Sequence, residues 1–274
     1  MLSGVRVVAL LAVHDEERFV GGCIEHLSSH GVETYVIDNG STDRTAEIAE
    51  GYSGRGLAGI ESFPRDGEYR WLRLLARKSE LAAILDADWF LHVDADEIRL
   101  PPRSGSTLAG ALAEVDRAGY NAGDFVEFTF VPTREHPDHD HPRYQETMRA
   151  YYPFLPRSPD RLNAWKRQDE PVDLVSSGGH VVAFPGLRRY PEAFRMRHYL
   201  FLSVEHAIRK YAERVYAADE VEAGWHRKRA ALSPGDVTLL PESELRTYVS
   251  DDELDPSGPW TEHPLFGRTA AEVR

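Results

Sequence analysis

The first hundred residues alternate between apolar runs and amphipathic stretches, and that rhythm leaves few folds open. Residues 5–13 form an apolar run rich in Val and Leu, the pattern of a strand buried on both faces. From Asp15 to Ser29 the chain carries Phe19, Cys23, Ile24 and Leu27 at helical spacing, and Gly31 follows as a stop. Residues 34–37 predict a second strand, 43–50 a second helix and 57–63 a third strand. Glu68 to Leu85 reads as a long helix with Trp71, Leu72, Leu74, Leu75, Leu81 and Ile84 as its apolar set, and 90–93 as a fourth strand. This order predicts an α/β fold, a mostly parallel sheet flanked by helices.

Past Pro101-Pro102 the pattern turns mixed. Residues 107–118 predict a helix and 125–131 an alternating strand. The stretch "TREHPDHDHPRY", 133–144, is polar and broken by prolines, which predicts a surface loop. Its His136, His139 and His141 are either a zinc or nickel site or part of a solvated loop. Strand-like pieces follow at 148–154, 164–166, 181–184 and 194–200, and Ser203 caps a helix expected to reach residue 217.

Composition removes several classes of function. A chain of 274 residues can bury a sizeable core, in one large domain or in one with an appendage. No apolar run approaches the roughly 20 residues a membrane helix needs. The opening "MLSGVRVVALLAVHDEE" is a buried strand rather than a signal peptide, since it lacks a basic head and ends in acids. A net charge of −13 argues against nucleic acid as a partner. Cys23 is the single cysteine, so no internal disulfide or cysteine-based zinc site can form, and a cytoplasmic address fits.

Ligands of open α/β sheets sit at the carboxyl ends of the parallel strands. Three of the expected strands end in polar or acidic clusters: "VHDEE" from Val13 to Glu17, "DNGSTDRT" from Asp38 to Thr45, and "DADE" from Asp94 to Glu97. In the second, Asn39-Gly40 makes a tight turn, while Ser41, Thr42 and Asp43 cap a helix. Asp38 is left as the ligand contact. Asp94 and Asp96 are hard oxygen donors two residues apart. They suit Mg²⁺ or Mn²⁺ shared with substrate phosphates and water. The usual dinucleotide and P-loop fingerprints are absent.

Together the three clusters resemble glycosyltransferase family 2 and its GT-A fold. The family pattern is a first strand ending in Asn-Glu, a second ending in D-[DN]-G-S-T-D-x-T and a fourth ending in D-x-D. Here these are Asp15-Glu16, Asp38 to Thr45, and Asp94-Ala95-Asp96, with Asp15 in place of the usual Asn. "DWFLHVDADE", Asp88 to Glu97, is similar to a subgroup of the family. The resemblance covers about the first hundred residues well. It implies a GT-A domain over 1–200, with a nucleotide half (1–100) and an acceptor half (101–200), and a helical or lid segment over 201–274.

The resemblance also implies roles. Val13 and Glu16 lie near base and ribose, and Asp38 holds the base. Arg70 is the basic residue the long helix offers the nucleotide. Asp94 and Ala95 meet the ribose side, and Asp96 ligates Mn²⁺ or Mg²⁺. The donor is a UDP- or GDP-sugar, the acceptor hydroxyl is unknown, and the transfer is inverting. The general base, a carboxylate or His on the acceptor side, falls among Asp169, Glu170 and Asp173, with Asp169 ranked first. His198 in "RHY" is the expected third metal ligand and His180 the runner-up. Gly178-Gly179 suggests a close backbone approach. "WHRKRAAL", from Trp225, is either a lid over the diphosphate or a charged helix face. A nucleotidyltransferase would show a Gly-rich basic loop after the first strand, where this chain has acids. A degenerate, purely binding GT-A domain is disfavoured by intact Asp38, Asp94 and Asp96.

Overall fold

The computed structural model describes residues 4–155 and 161–267. They form two compact units interleaved along the chain. The first holds 4–65, 71–126 and 161–196, and the second 66–70, 127–155 and 197–267. The sequence reading divides the chain at 100 and 200 instead, because hydropathy follows chain order and these units do not.

The first unit is built on β1 (Val7–Val13), β2 (Val32–Asp38), β3 (Leu57–Ser62), β4 (Trp89–Val93), β6 (Ala122–Gly123) and β9 (Ala164–Lys166), in the spatial order β3-β2-β1-β4-β9-β6. β5 (Glu97–Leu100) also belongs to it. The first four strands in that order are parallel, as the rhythm predicts. β9 runs antiparallel to both β4 and β6. β1 lies between β2 and β4 and is buried along nearly its whole length.

Helix α1 (Val20–Ser29) buries Val20, Cys23, Ile24 and Leu27. It starts five residues later than its spacing suggests, because Asp15 takes a left-handed backbone (φ 54) and the chain turns before it coils. Helices α2 (Thr45–Glu50) and α4 (Leu108–Arg117) follow the expected positions, and Thr107 caps α4 by accepting the Gly110 N–H at 3.0 Å. Helix α3 (Trp71–Ile84) buries Trp71, Leu74, Leu75, Lys78, Leu81 and Ala82. That is one stripe at steps of three and four, and each buried Leu contributes roughly 1.5–3 kcal/mol. Ile84, counted above as apolar face, lies off the stripe and is 67% exposed.

The second unit holds most of β7 (Phe125–Phe130), all of β8 (Ala150–Phe154) and β11 (Arg246–Thr247), and the end of β10 (Phe194–Tyr199). β8 pairs antiparallel with β7 and β11. Its core gathers Tyr152, Phe154, Leu200, Phe201, Tyr211 and Leu265, and Tyr152 stacks on Trp260 at 4.6 Å. Ser203 is the expected cap, accepting from His206 N–H at 3.1 Å. The helix it starts is short, however: α6 (Val204–Ala207) passes into a π turn at Ile208–Ala212. Residues 181–184 form no strand and make only isolated bridges, Leu162 to Val181 and Asp173 to Ala183.

The His-rich loop is ordered by hydrogen bonds. Thr147 Oγ1 meets His139 Nδ1 at 2.9 Å and His141 Nε2 at 3.1 Å, the latter across α5 (Tyr144–Thr147). Among the described residues, no three His, Cys, Asp or Glu side chains group to hold a metal, so the zinc or nickel reading of His136, His139 and His141 has no support. The basic stretch after Trp225 forms one exposed turn, Arg227–Ala230, with Lys228 paired to Glu262 at 2.9 Å. No described helix is long and apolar enough to cross a membrane.

Candidate active site

Register decides where the polar clusters lie. Val13 stands opposite Asp38, Asp38 opposite Ser62, and Leu11 opposite Val93. All three clusters therefore leave the same carboxyl edge of the parallel strands, where an open α/β sheet takes its ligands.

The first two clusters are stitched together. Asp15 Oδ1 accepts the Thr42 N–H at 2.6 Å and the Thr42 hydroxyl at 3.2 Å, and Asp15 N–H donates to Ser41 Oγ at 3.1 Å. Glu16 N–H donates to Thr45 Oγ1 at 2.7 Å and Glu17 N–H to Asp43 Oδ2 at 3.1 Å. Burial alone would raise the Asp15 carboxyl, but the Thr42 amide and the His14 ring outweigh it and hold the group below the usual carboxylate range. Ser41, Thr42 and Asp43 thus brace the loop. Asp43 caps α2 through Thr45 N–H at 2.9 Å, as expected, while Ser41 and Thr42 serve Asp15 instead. Asp38, at the strand tip, is mostly buried and accepts from Ser41 N–H at 3.2 Å.

The third cluster sits on buried cations. Arg99 on β5, 1% exposed, donates to Glu97 Oε2 at 2.6 Å and to His92 O at 3.1 Å. Glu97 Oε2 in turn accepts the Asp94 N–H at 2.9 Å, closing the turn. Lys78 on α3 has no exposed surface; its Nζ donates to Val93 O at 3.0 Å, meets His92 Nδ1 at 2.9 Å and stands 3.9 Å from Asp94 Oδ1. Burial, helped by Lys78 and Arg99, drives His92 well below its usual range, so its ring is neutral and Nδ1 accepts. Like charges this close need an offset, and Lys78 and Arg99 supply it from below. Sequence reasoning missed both. The signal for Lys78 was present, as a Lys on the apolar stripe of Trp71, Leu74, Leu75 and Leu81.

Burial lowers the Lys78 ammonium to about 8 from its ordinary 10.5, with Asp94 and Glu97 opposing the shift. The folded chain then gives up this proton at lower pH than the unfolded chain. On this group alone, stability rises as pH climbs from about 8 towards 10.5. The gap in melting temperature between the wild type and Lys78→Met is therefore expected to shift in the wild type's favour over that window. A gap that is flat with pH counts against a depressed Lys78.

Gly178 and Gly179 close against the same layer. Trp71 Nε1 donates to Gly178 O at 3.0 Å, and Asn163 Nδ2 to Gly179 O at 2.8 Å. Gly179 has φ +83, and a Cβ there would stand 2.9 Å from His92 Nε2 and from Leu75 Cδ2. The close approach expected from the sequence is thus to His92 and Leu75. Gly179→Ala is expected to cost about 1–3 kcal/mol from left-handed strain and overpacking, read by chemical denaturation.

Two expected assignments need correction. Asp169 and Glu170 follow β9, whose Lys166 stands opposite Trp89, the first residue of β4. Arg167 N–H donates to Asp88 O at 2.9 Å. Both acids therefore leave at the amino edge, roughly 16 Å of strand away from Asp94, because β9 is antiparallel to its neighbour. That placement separates them from Asp94 and Asp96 and lends no support to the general-base reading. Asp173 also fits poorly, since the Ser176 side chain and amide hold its carboxyl below the usual range. Arg70 precedes α3 rather than lying on it, belongs to the second unit, and is paired with Glu68 at 2.8 Å and Asp219 at 3.1 Å. Those two carboxylates occupy its guanidinium, so it is not carried forward as a nucleotide contact.

The remaining candidates fall as follows. Val13, Glu16, Asp38, Asp94, Ala95 and Asp96 share the first unit's carboxyl edge. His180 is in that unit too, hydrogen-bonded to Arg161. His198 is in the second unit, bonded through Nδ1 to Glu127 at 2.7 Å. Asp94 and Asp96 suit a hard cation that completes its shell with diphosphate and water, since such a cation needs only one or two carboxylates.

Comparison with known proteins settles the family. The sequence model described as Glycosyl transferase family 2 matches residues 9–158, more than half of the chain. This chain belongs to glycosyl transferase family 2. The match spans all three clusters of the site. Among curated proteins none matches this family 2 chain. Solved structures similar to it include S. aureus TarS (14% identity, 71% of this chain and 60% of that one, TM-score 0.40). Another is a mannosyltransferase from Pyrobaculum calidifontis in complex with GDP-Man and Mn²⁺ (15%, 48% and 37%, TM-score 0.34). A third is glucosyl-3-phosphoglycerate synthase from Mycobacterium tuberculosis, with Mn²⁺, UDP and glucosyl-3-phosphoglycerate (18%, 45% and 44%, TM-score 0.31). In each case this family 2 chain spans less than two thirds of the solved chain.

Proposed function

We propose that this family 2 protein transfers a sugar from a nucleoside-diphosphate sugar to an acceptor hydroxyl, with inversion, assisted by Mn²⁺ or Mg²⁺. The observation that carries this is the single strand edge at which Asp38, Asp94 and Asp96 come together over buried Lys78 and Arg99. Asp38 and Glu16, beside Val13, recognise the base and ribose. Asp94 and Ala95 line the ribose side. Asp96 is the proposed ligand of the cation. When bound, the cation offsets the charge on the departing diphosphate. Lys78 and Arg99 keep the acidic turn assembled before any cation arrives, so the carboxylates need not reorganise.

Thermal shift with UDP, GDP and ADP, each with and without Mn²⁺, tests the reading. One nucleotide should stabilise the protein, and more so with Mn²⁺. The absence of a shift with every nucleoside diphosphate would remove the proposal.

A further inference from the structure

Of the four parallel strands, β1, β2 and β4 leave their carboxyl edge through His14, Asn39 and Asp94, whereas β3 leaves it through Phe63. Phe63 is half-buried, so part of an apolar side chain stays exposed at a polar edge. Its N–H donates to Asp38 O at 2.7 Å, one step beyond the pairing of Asp38 with Ser62. Asn39, the residue after Asp38, is 3% exposed. Its N–H donates to Val13 O at 2.8 Å, which ties it to β1. Its side chain reaches the exit of β3 instead. Nδ2 donates to Phe63 O at 3.1 Å and to Pro64 O at 3.3 Å, and Oδ1 accepts from Arg65 Nη1 at 3.3 Å. Both amide protons and the amide oxygen of Asn39 are thus spent on three successive residues. Pro64 restricts the backbone of Phe63 to extended forms, which narrows the directions its ring can take. Arg73, in the first turn of α3, carries its guanidinium 5.5 Å from the centre of that ring. All of these residues belong to the first unit. An aromatic ring with a guanidinium over it, beside hydrogen-bonding groups, is a surface on which nucleobases stack.

We propose that Phe63 is the face on which the nucleobase of the donor rests, and that Asn39 is the positioning residue that holds it there. This rests on the nucleoside-diphosphate donor proposed above. Asp38 then meets a polar edge of the nucleoside while the ring takes the apolar face of the base, from neighbouring strands. Asn39 sets that spacing, because its amide ties the carbonyls of Phe63 and Pro64 to the tip of β2.

The test uses the full chain. Binding of UDP, GDP and ADP is measured separately by titration calorimetry. Phe63→Leu keeps apolar bulk without a flat ring. It should weaken the nucleotide that the wild type binds by about 5–150-fold, the loss of one base–aromatic stack. Phe63→Tyr keeps the ring and should bind as the wild type does. In proton spectra of the bound nucleotide, the base protons should show an upfield ring-current shift with the wild type and Phe63→Tyr, and lose it with Phe63→Leu. If Phe63→Leu binds like the wild type, or Phe63→Tyr loses as much as Phe63→Leu, the ring is not the face and the proposal falls, with the donor reading intact. If the wild type binds none of the three nucleotides, the donor reading fails and takes the proposal with it. Asn39→Asp keeps the size of the side chain but cannot donate to the two carbonyls, and should weaken the same nucleotide. Acting through Phe63, it should cost less on the Phe63→Leu background than alone. Losses that simply add would overturn the positioning role. Should Asn39→Asp not fold, Asn39→Ala, which removes the amide without adding charge, takes its place in the same cycle.

Discussion

Asp96→Asn is expected to lower kcat for sugar transfer by about 10³-fold, a loss of the size seen when one electrostatic stabiliser is removed from a reacting centre. The change is nearly isosteric and leaves Lys78, Arg99 and Glu97 in place, so the turn should keep its shape. Circular dichroism and melting should stay close to wild type, and nucleotide binding without Mn²⁺ should persist. The added stabilisation by Mn²⁺ should vanish together with turnover. If Asp96→Asn keeps both turnover and the Mn²⁺ effect, Asp96 is not the ligand and the role passes to Asp94.

Arg99→Leu should have the largest effect on stability. Arg99 and Glu97 form a buried pair, their side chains 2% and 9% exposed, at 2.6 Å. Removing the cation strands Glu97 in a poorly solvated place and frees His92 O, which it also satisfies. Breaking a buried pair from one side costs about 3–5 kcal/mol. Denaturant unfolding should show that loss. The double variant Glu97→Gln, Arg99→Leu should recover part of it, because the stranded charge is gone. A cost below about 1 kcal/mol for Arg99→Leu would mean the pair behaves like a surface bridge and does not hold the acidic turn.

What could be read from the chain alone divides along physical lines. β1 and β4 were legible because strands buried on both faces leave unbroken apolar runs, while β2 and the edge strand β3, less fully buried, followed from their place in the rhythm. Their shared edge followed from direction alone, which is why Asp38, Asp94 and Asp96 were found together. Lys78 was legible in principle, since its spacing from Trp71, Leu74 and Leu75 places it inward, but a charged residue is read as outward by habit. Glu127 broke the pattern of a strand in the same way. The position of Asp169 and Glu170 was not legible, because a three-residue strand, β9, has no sequence mark for its direction. One reversal moved both acids to the far edge. The interleaving of the two units was not legible either, since local hydropathy carries no record of which distant segments share a core.

Cys23 offers a practical use. It is the single cysteine, fully buried on α1, with its thiol pushed up by burial and by Glu97 and Asp96, and its Sγ 4.0 Å from Asp94 O. A native thiol in that position hardly reacts until α1 lifts from the sheet. The rate of its modification by a soluble thiol reagent is therefore a clock for local opening next to the acidic turn. No label, tag or engineered residue is needed, and slowing of that clock by a nucleotide would report occupancy of the very edge where transfer is proposed.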